Sequence, residues 1–202
     1  MLKKRYAEEA ERISGLELGR DADLKHPVFG DGNPDKPLIM FVGEAPGKDE
    51  AASGRPFVGK AGKQLDAMLA LAGIDRSKVF VTNSVKYRPT KVADRRVSNR
   101  TPMPSEVKDG LALLRFEIET VCPSVIATLG NVPLSAVRML SDTEGEKLNV
   151  GMAHGMPTVI VVGGRLIHLF PLYHPASAIY NRELKPVLEQ DLIRLGDFAR
   201  SL

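Results

Sequence analysis

The chain has 202 residues, 43% of them hydrophobic and 26% charged, a balance that suits one globular domain with a real core and excludes a disordered or fibrous chain. Its single cysteine, Cys122, excludes an internal disulfide framework and any multi-cysteine metal site. A formal net charge of +3 is mildly basic, which suits a polyanion partner without requiring one.

No apolar run reaches transmembrane length, so no membrane partner is expected. The charged segment Met1–Ala10 lacks the apolar centre of a signal peptide, and a cytoplasmic location is expected. No repeat, low-complexity segment or long linker divides the chain, so residues 1–202 are expected to form one domain.

Residues 2 to about 14 have the spacing of an amphipathic helix, with Tyr6, Ala10 and Ile13 on one side. Residues 19–37 carry Pro27, Gly30, Gly32, Pro34 and Pro37 and read as loop. Leu38–Val42 is a continuous apolar run, as expected for a parallel strand buried on both faces. It ends in the turn Gly43-Glu44-Ala45-Pro46-Gly47. The carboxyl end of such a strand is where open α/β sheets bind ligands, so Glu44 is expected to face a crevice. Gly43 and Gly47 permit approaches that a side chain would forbid. Residues 48–58 read as a long loop, followed by a helix from Lys60 with Leu65, Met68, Leu69 and Leu71 as its stripe and Gly73 at its end.

Val79–Thr82 is the next strand, with Asn83 at its carboxyl end. Residues 84–104 read as a polar loop, and a helix over 105–120 with Ser105 as its N-cap follows. A strand over 124–129 and a short helix over 132–140 precede an irregular connection, 141–157. Thr158–Val162 and Leu166–Leu169 read as strands joined by a Gly163-Gly164 hairpin turn. The second leads to Tyr173-His174-Pro175, and the last helix covers 183–200. This alternation predicts an α/β fold, a three-layer α/β/α sandwich around a mostly parallel sheet. Glu44, Asn83 and His174 then share one rim.

Several stretches in order resemble the uracil-DNA glycosylase superfamily, most closely its family 4. They are Gly43-Glu44-Ala45-Pro46-Gly47, the segment 54–62 that contains Gly54-Arg55-Pro56-Phe57, the segment 81–89 that contains Thr82-Asn83, Asn99-Arg100-Thr101-Pro102, Leu129-Gly130 and Tyr173-His174-Pro175. The resemblance covers roughly residues 29–195. It implies a central four-stranded parallel sheet flanked by helices, and excision of uracil from DNA. Family 4 members usually hold an iron–sulfur cluster on cysteines at positions occupied here by Ile13, Leu16, Tyr87 and Gly110. Thiolates hold such clusters, so no cluster is expected, nor any other cofactor or metal. A related group captures uracil-DNA through a histidine in the region of residues 86–100. No histidine stands there, and covalent capture is not expected.

Excision requires the nucleotide to be flipped out of the stack. Phe57 suits stacking on the flat ring. The Asn83 amide offers a donor and an acceptor that match uracil O4 and N3–H, and a mismatched base would leave those groups unpaired. His174 suits an N–H aimed at O2, where the departing base gathers charge. Glu44 is the expected catalytic carboxylate, orienting water or stabilising the cationic sugar, and Glu50 is expected to share that task. Ala45, where some superfamily members have Asp, and Pro46 are expected to lend backbone to the base pocket. Asn99 is expected to hold Glu50 or its loop. His26, His154 and His168 receive no role, and Cys122 reads as structural.

Lys86, Arg88, Lys91, Arg95, Arg96 and Arg100 form a basic segment expected to grip phosphates without reading sequence. Ile179 or Tyr180 would fill the gap left by the flipped base, and Arg182 would meet phosphate. The expected function is monomeric, monofunctional removal of uracil from single- or double-stranded DNA in base-excision repair. Two alternatives remain open: a glycosylase for hypoxanthine or xanthine, and a lesion-binding module without turnover.

Overall fold

The computed structural model describes residues 1–18, 21–94, 96–143 and 148–202. In chain order the first half holds α1 (Leu2–Ser14), β1 (Ala22–Asp23), β2 (Asp31–Gly32), β3 (Ile39–Gly43), α2 (Lys48–Ser53), α3 (Lys60–Leu71), β4 (Phe80–Asn83), β5 (Arg88–Ala93) and β6 (Arg96–Asn99). The second half holds α4 (Pro104–Val121), β7 (Val125–Leu129), α5 (Asn131–Met139), α6 (Val150–Ala153), β8 (Thr158–Val162), β9 (Arg165–Leu172), α7 (Ser177–Tyr180) and α8 (Leu184–Arg200).

The main sheet has the order β2-β4-β3-β7-β9-β8. The expected four parallel strands are its centre, β4-β3-β7-β9. Antiparallel β2 and β8 extend it at the two edges. Every residue of β3, β4 and β7 is buried, because helices cover both faces. The two-residue period of β3 divides the core. Met40 and Val42 pack with Ile13, Leu114, Ile118, Leu134 and Val137 from α1, α4 and α5. Ile39 and Phe41 face Leu65, Leu69, Leu188 and Leu192 from α3 and α8. The parallel register sets Gly43 beside Asn83, and Leu129 beside Leu172. The strand ends that carry Glu44, Asn83 and His174 therefore lie along one edge.

Residues 84–104 depart from the expected loop. β5 and β6 pair antiparallel around Asp94 at φ 50°, and β1 joins them in a second, three-stranded sheet. All of β6 is exposed, so no buried face imposes an alternating pattern that a sequence could display. Residues 48–53 form α2 rather than loop, closed by Gly54 at φ 69°. The N-cap of α4 is Met103, not Ser105. Pro104 opens the helix, and the Glu106 carboxylate accepts the Met103 N–H at 2.7 Å. The Gly163-Gly164 turn joins β8 to β9 as expected, both residues at positive φ. Cys122 ends α4, where its thiol donates to the Glu119 carbonyl at 2.9 Å.

Candidate active site

A cavity of about 480 Å³ opens at the carboxyl end of the sheet, with Ala45, Glu50, Phe57, Asn83 and His174 in its wall. Close packing at β3 sets the relation between two of these. A Cβ on Gly43 would lie 2.4 Å from Asn83 Oδ1 and 2.5 Å from the Phe57 ring, so only glycine lets both side chains turn inward together. Phe57 itself adopts φ 56°, a left-handed backbone that a bulky residue rarely takes. Its carbonyl sits hard against Gly62, where a Cβ would come within 1.9 Å, and this packing fixes the turn into α3. The Phe57 and His174 rings lie 6.3 Å apart at 33°.

His174 Nδ1 accepts the Ala176 N–H at 3.1 Å. A backbone amide can only donate, so Nδ1 carries the lone pair and the neutral ring holds its proton on Nε2. Burial pushes the imidazole pKa below its ordinary value, against the opposing charge of Glu50. The ring is thus a neutral donor.

Glu50 Oε1 accepts the N–H groups of Val58 and Gly59 at 3.0 and 2.8 Å, and Oε2 accepts that of Gly47 at 3.1 Å. Of about four acceptor sites on a carboxylate, one on Oε2 remains for a water. Glu44 lies differently from its expectation. The turn lends Ala45 and Gly47 to the cavity wall, whereas Glu44 and the buried Pro46 are not among the lining residues. Burial raises the Glu44 pKa, and a hydrogen bond with Thr101 opposes the rise. Asn99 lines the cavity and accepts the Arg88 Nε–H at 2.7 Å.

The basic segment separates into different environments. Lys86 is buried at 2% exposure in an ion pair with Glu117 at 2.6 Å, so its assignment to DNA is corrected: the bend between β4 and β5 turns it inward. Arg100 is also corrected. Its guanidinium holds both oxygens of Glu106, at 2.6 and 2.8 Å, and the carbonyls of Asp21 and Thr90, tying the base of the β5–β6 arm to α4. Arg88 is given to Asn99. Arg96 and Arg182 are exposed, and Arg95 lies outside the described residues. Ile179 and Tyr180 line the cavity mouth at 46% and 89% exposure. Sequence reasoning missed Lys48 and Lys60, two exposed cations that also line it. Lys60 starts α3, where a cation opposes the helix dipole, and that misplacement was the available signal.

The model of the uracil DNA glycosylase superfamily matches residues 29–194. The type-4 uracil-DNA glycosylase of Sulfurisphaera tokodaii is 38% identical over 174 residues, covering 85% of this chain and 74% of that protein. The chain belongs to the uracil-DNA glycosylase superfamily. The type-4 uracil-DNA glycosylase of Saccharolobus solfataricus is 39% identical over 178 residues, 88% of this chain and 78% of its own. A DNA polymerase of Bacillus phage SP01 is 30% identical over 172 residues, 82% of this chain but 16% of the polymerase.

At the four positions where the resemblance places cluster cysteines, this superfamily member carries no thiol. Ile13 and Tyr87 are buried in one core cluster, and Leu16 packs against it. A Cβ at Gly110 would lie 2.2 Å from the Ser84 carbonyl oxygen. The residues present do not fit the cluster. Among the described residues, no group of three or more His, Cys, Asp and Glu is placed to hold a metal. No helix among them is long and apolar enough to cross a membrane.

Proposed function

We propose that this superfamily member hydrolyses the N-glycosidic bond of uracil in DNA, acting as a monomer, single- or double-stranded DNA serving as substrate. The observation that carries the reading is one cavity walled by the Asn83 amide, the Phe57 ring and a neutral His174 whose proton is on Nε2. Asn83 pairs with O4 and N3–H of the flipped base, and Phe57 covers its face. The His174 N–H meets O2 as the bond breaks. The sugar left behind is cationic. Glu50 supplies the fixed charge facing it, and the remaining acceptor site on Oε2 orients water. Glu44 and Thr101 hold the turn that shapes the wall. The names of the relatives support uracil over a deaminated purine, and the intact donor set supports turnover over binding alone.

The test is alkali-revealed strand cleavage of oligonucleotides containing uracil, hypoxanthine or no lesion. Cleavage at uracil alone is expected; cleavage at hypoxanthine alone, or retention without cleavage, refutes the reading. The β5–β6 arm grips phosphate through Lys91 and Arg96, both exposed. Arg96→Ala is expected to weaken binding about equally on all sequences and to reduce the salt slope by ~1. Unchanged slope in a binding titration against salt removes the arm from the interface.

The apolar filling at Ile13, Leu16 and Tyr87 also supports a fold that holds no cluster. Protein purified without oxygen is expected to show no charge-transfer band near the visible–ultraviolet boundary and no stoichiometric iron. Iron at cluster stoichiometry would overturn this.

A further inference from the structure

Directly behind Asn83 lies a buried charged network that bond cleavage does not use. Lys86 Nζ donates to Thr82 Oγ1, to the Asn83 carbonyl and to Glu117 Oε2, each at 2.6 Å. Its three protons are therefore all placed. Glu117, fully buried, also accepts from Thr82 at 3.0 Å and from the Tyr6 hydroxyl at 2.8 Å.

The position of one peptide plane gives the network its consequence. In the unit joining Asn83 to Ser84, the N–H donates to the Gly43 carbonyl at 2.8 Å. The carbonyl of the same unit accepts from Lys86. Both ends of the plane are pinned, which fixes the backbone that aims the Asn83 side chain. On the other side, the Asn83 side chain lies in the space that the missing Cβ of Gly43 leaves open, 2.4 Å from where that atom would stand. A buried ion pair is weak as a stabilising device, since apolar residues of similar volume often replace one without loss. Here it delivers a charged donor to a single carbonyl, at the residue whose amide faces the cavity.

We propose that Lys86 is a positioning residue for base recognition: its ammonium holds the Asn83 peptide so that the amide meets the edge of the flipped base. The inference rests on the reading of Asn83 as the group that contacts that edge. Removing the clamp then loosens the amide and weakens contact with the base, while contacts to the DNA backbone stay intact.

The test pairs Lys86→Met with Glu117→Gln, so that no buried charge is left alone. The readouts are inhibition by free uracil, KM and kcat on a uracil oligonucleotide, affinity for an abasic oligonucleotide, and the thermal midpoint. The expected result is roughly tenfold weaker inhibition by free uracil and a raised KM. Affinity for abasic DNA, which has no base to contact, is expected to hold. Asn83→Ala is run beside it. If Asn83→Ala weakens uracil inhibition and the pair does not, Lys86 is only structural and the inference fails. If Asn83→Ala also leaves inhibition unchanged, the reading of Asn83 itself fails. An equal loss of abasic and uracil affinity also overturns the inference, since it marks a general collapse. Should the pair not fold, Lys86→Met, Glu117→Leu and Tyr6→Phe together carry the same measurements on an apolar filling.

Discussion

His174→Ala is expected to lower single-turnover excision of uracil by ~10²–10³, the usual cost of one oxyanion-type donor. The affinity for uracil-DNA is expected to change little, because the donor strengthens only as charge gathers on O2. The geometry makes the donor unusually well defined. The Ala176 N–H occupies Nδ1, so the ring cannot present its other tautomer without breaking that bond. Burial lowers the His174 pKa, so the neutral donor persists to pH values where an ordinary histidine is charged. The rate is expected to stay level through neutral pH and to fall as pH drops through the depressed value. Stability moves the same way. The unfolded histidine binds a proton below ~6.5 that the folded one refuses, so folding weakens as pH falls below that point. A rate that rises as the imidazolium forms would show that a cation, not a neutral N–H, supports the leaving base. Equal losses in binding and turnover for His174→Ala would place the ring in ground-state contact instead.

The parallel centre of the sheet was legible because burial on both faces leaves continuous apolar runs such as Ile39–Val42 and Val79–Val81. The strand-end positions of Asn83 and His174 followed from those runs. What escaped the sequence was direction. Lys86 sits in a run of cations, and composition alone placed it on the surface. The contrary signal was Glu117, which falls on the apolar stripe of α4 with Leu113, Leu114, Ile118 and Val121. A carboxylate on a core-facing stripe demands a buried partner, and Lys86 is that partner. Arg100 was hidden in the same way, because Glu106 reads as a helix-start acid and its second task is visible only in space. The β5–β6 arm left no trace, since β6 is exposed throughout and β5 is buried only at Pro89 and Thr90, too short a stretch to show an alternating pattern. Of the two acids near the first turn, proximity to the glycines favoured Glu44. The cavity takes Glu50, because α2 carries the chain round one turn before presenting it.

Glu50 therefore carries the second large effect, and two substitutions separate its tasks. Its carboxylate is the common acceptor for Gly47, Val58 and Gly59, the last being the residue that caps α3. Glu50→Ala leaves three partly buried amides without that acceptor, at a cost of about 2–3 kcal/mol in all. In a chain of this length that corresponds to a thermal midpoint lower by roughly 5–10 °C. Glu50→Gln retains a carbonyl that can still receive Val58 and Gly59, but turns an amide NH₂ toward the Gly47 N–H, donor against donor. A smaller loss of stability is expected from it. Excision should suffer in both, by ~10² or more, because neither variant keeps a negative charge beside the cationic sugar. The comparison between thermal midpoint and single-turnover rate is what decides. If Glu50→Gln excises uracil at the native rate, the charge plays no part and Glu50 is only the anchor of the loop. If excision falls in proportion to stability in both variants, geometry alone accounts for the loss. The expected pattern is a Gln variant close to native in stability and far from it in rate, since an amide can hold the loop but cannot supply the charge.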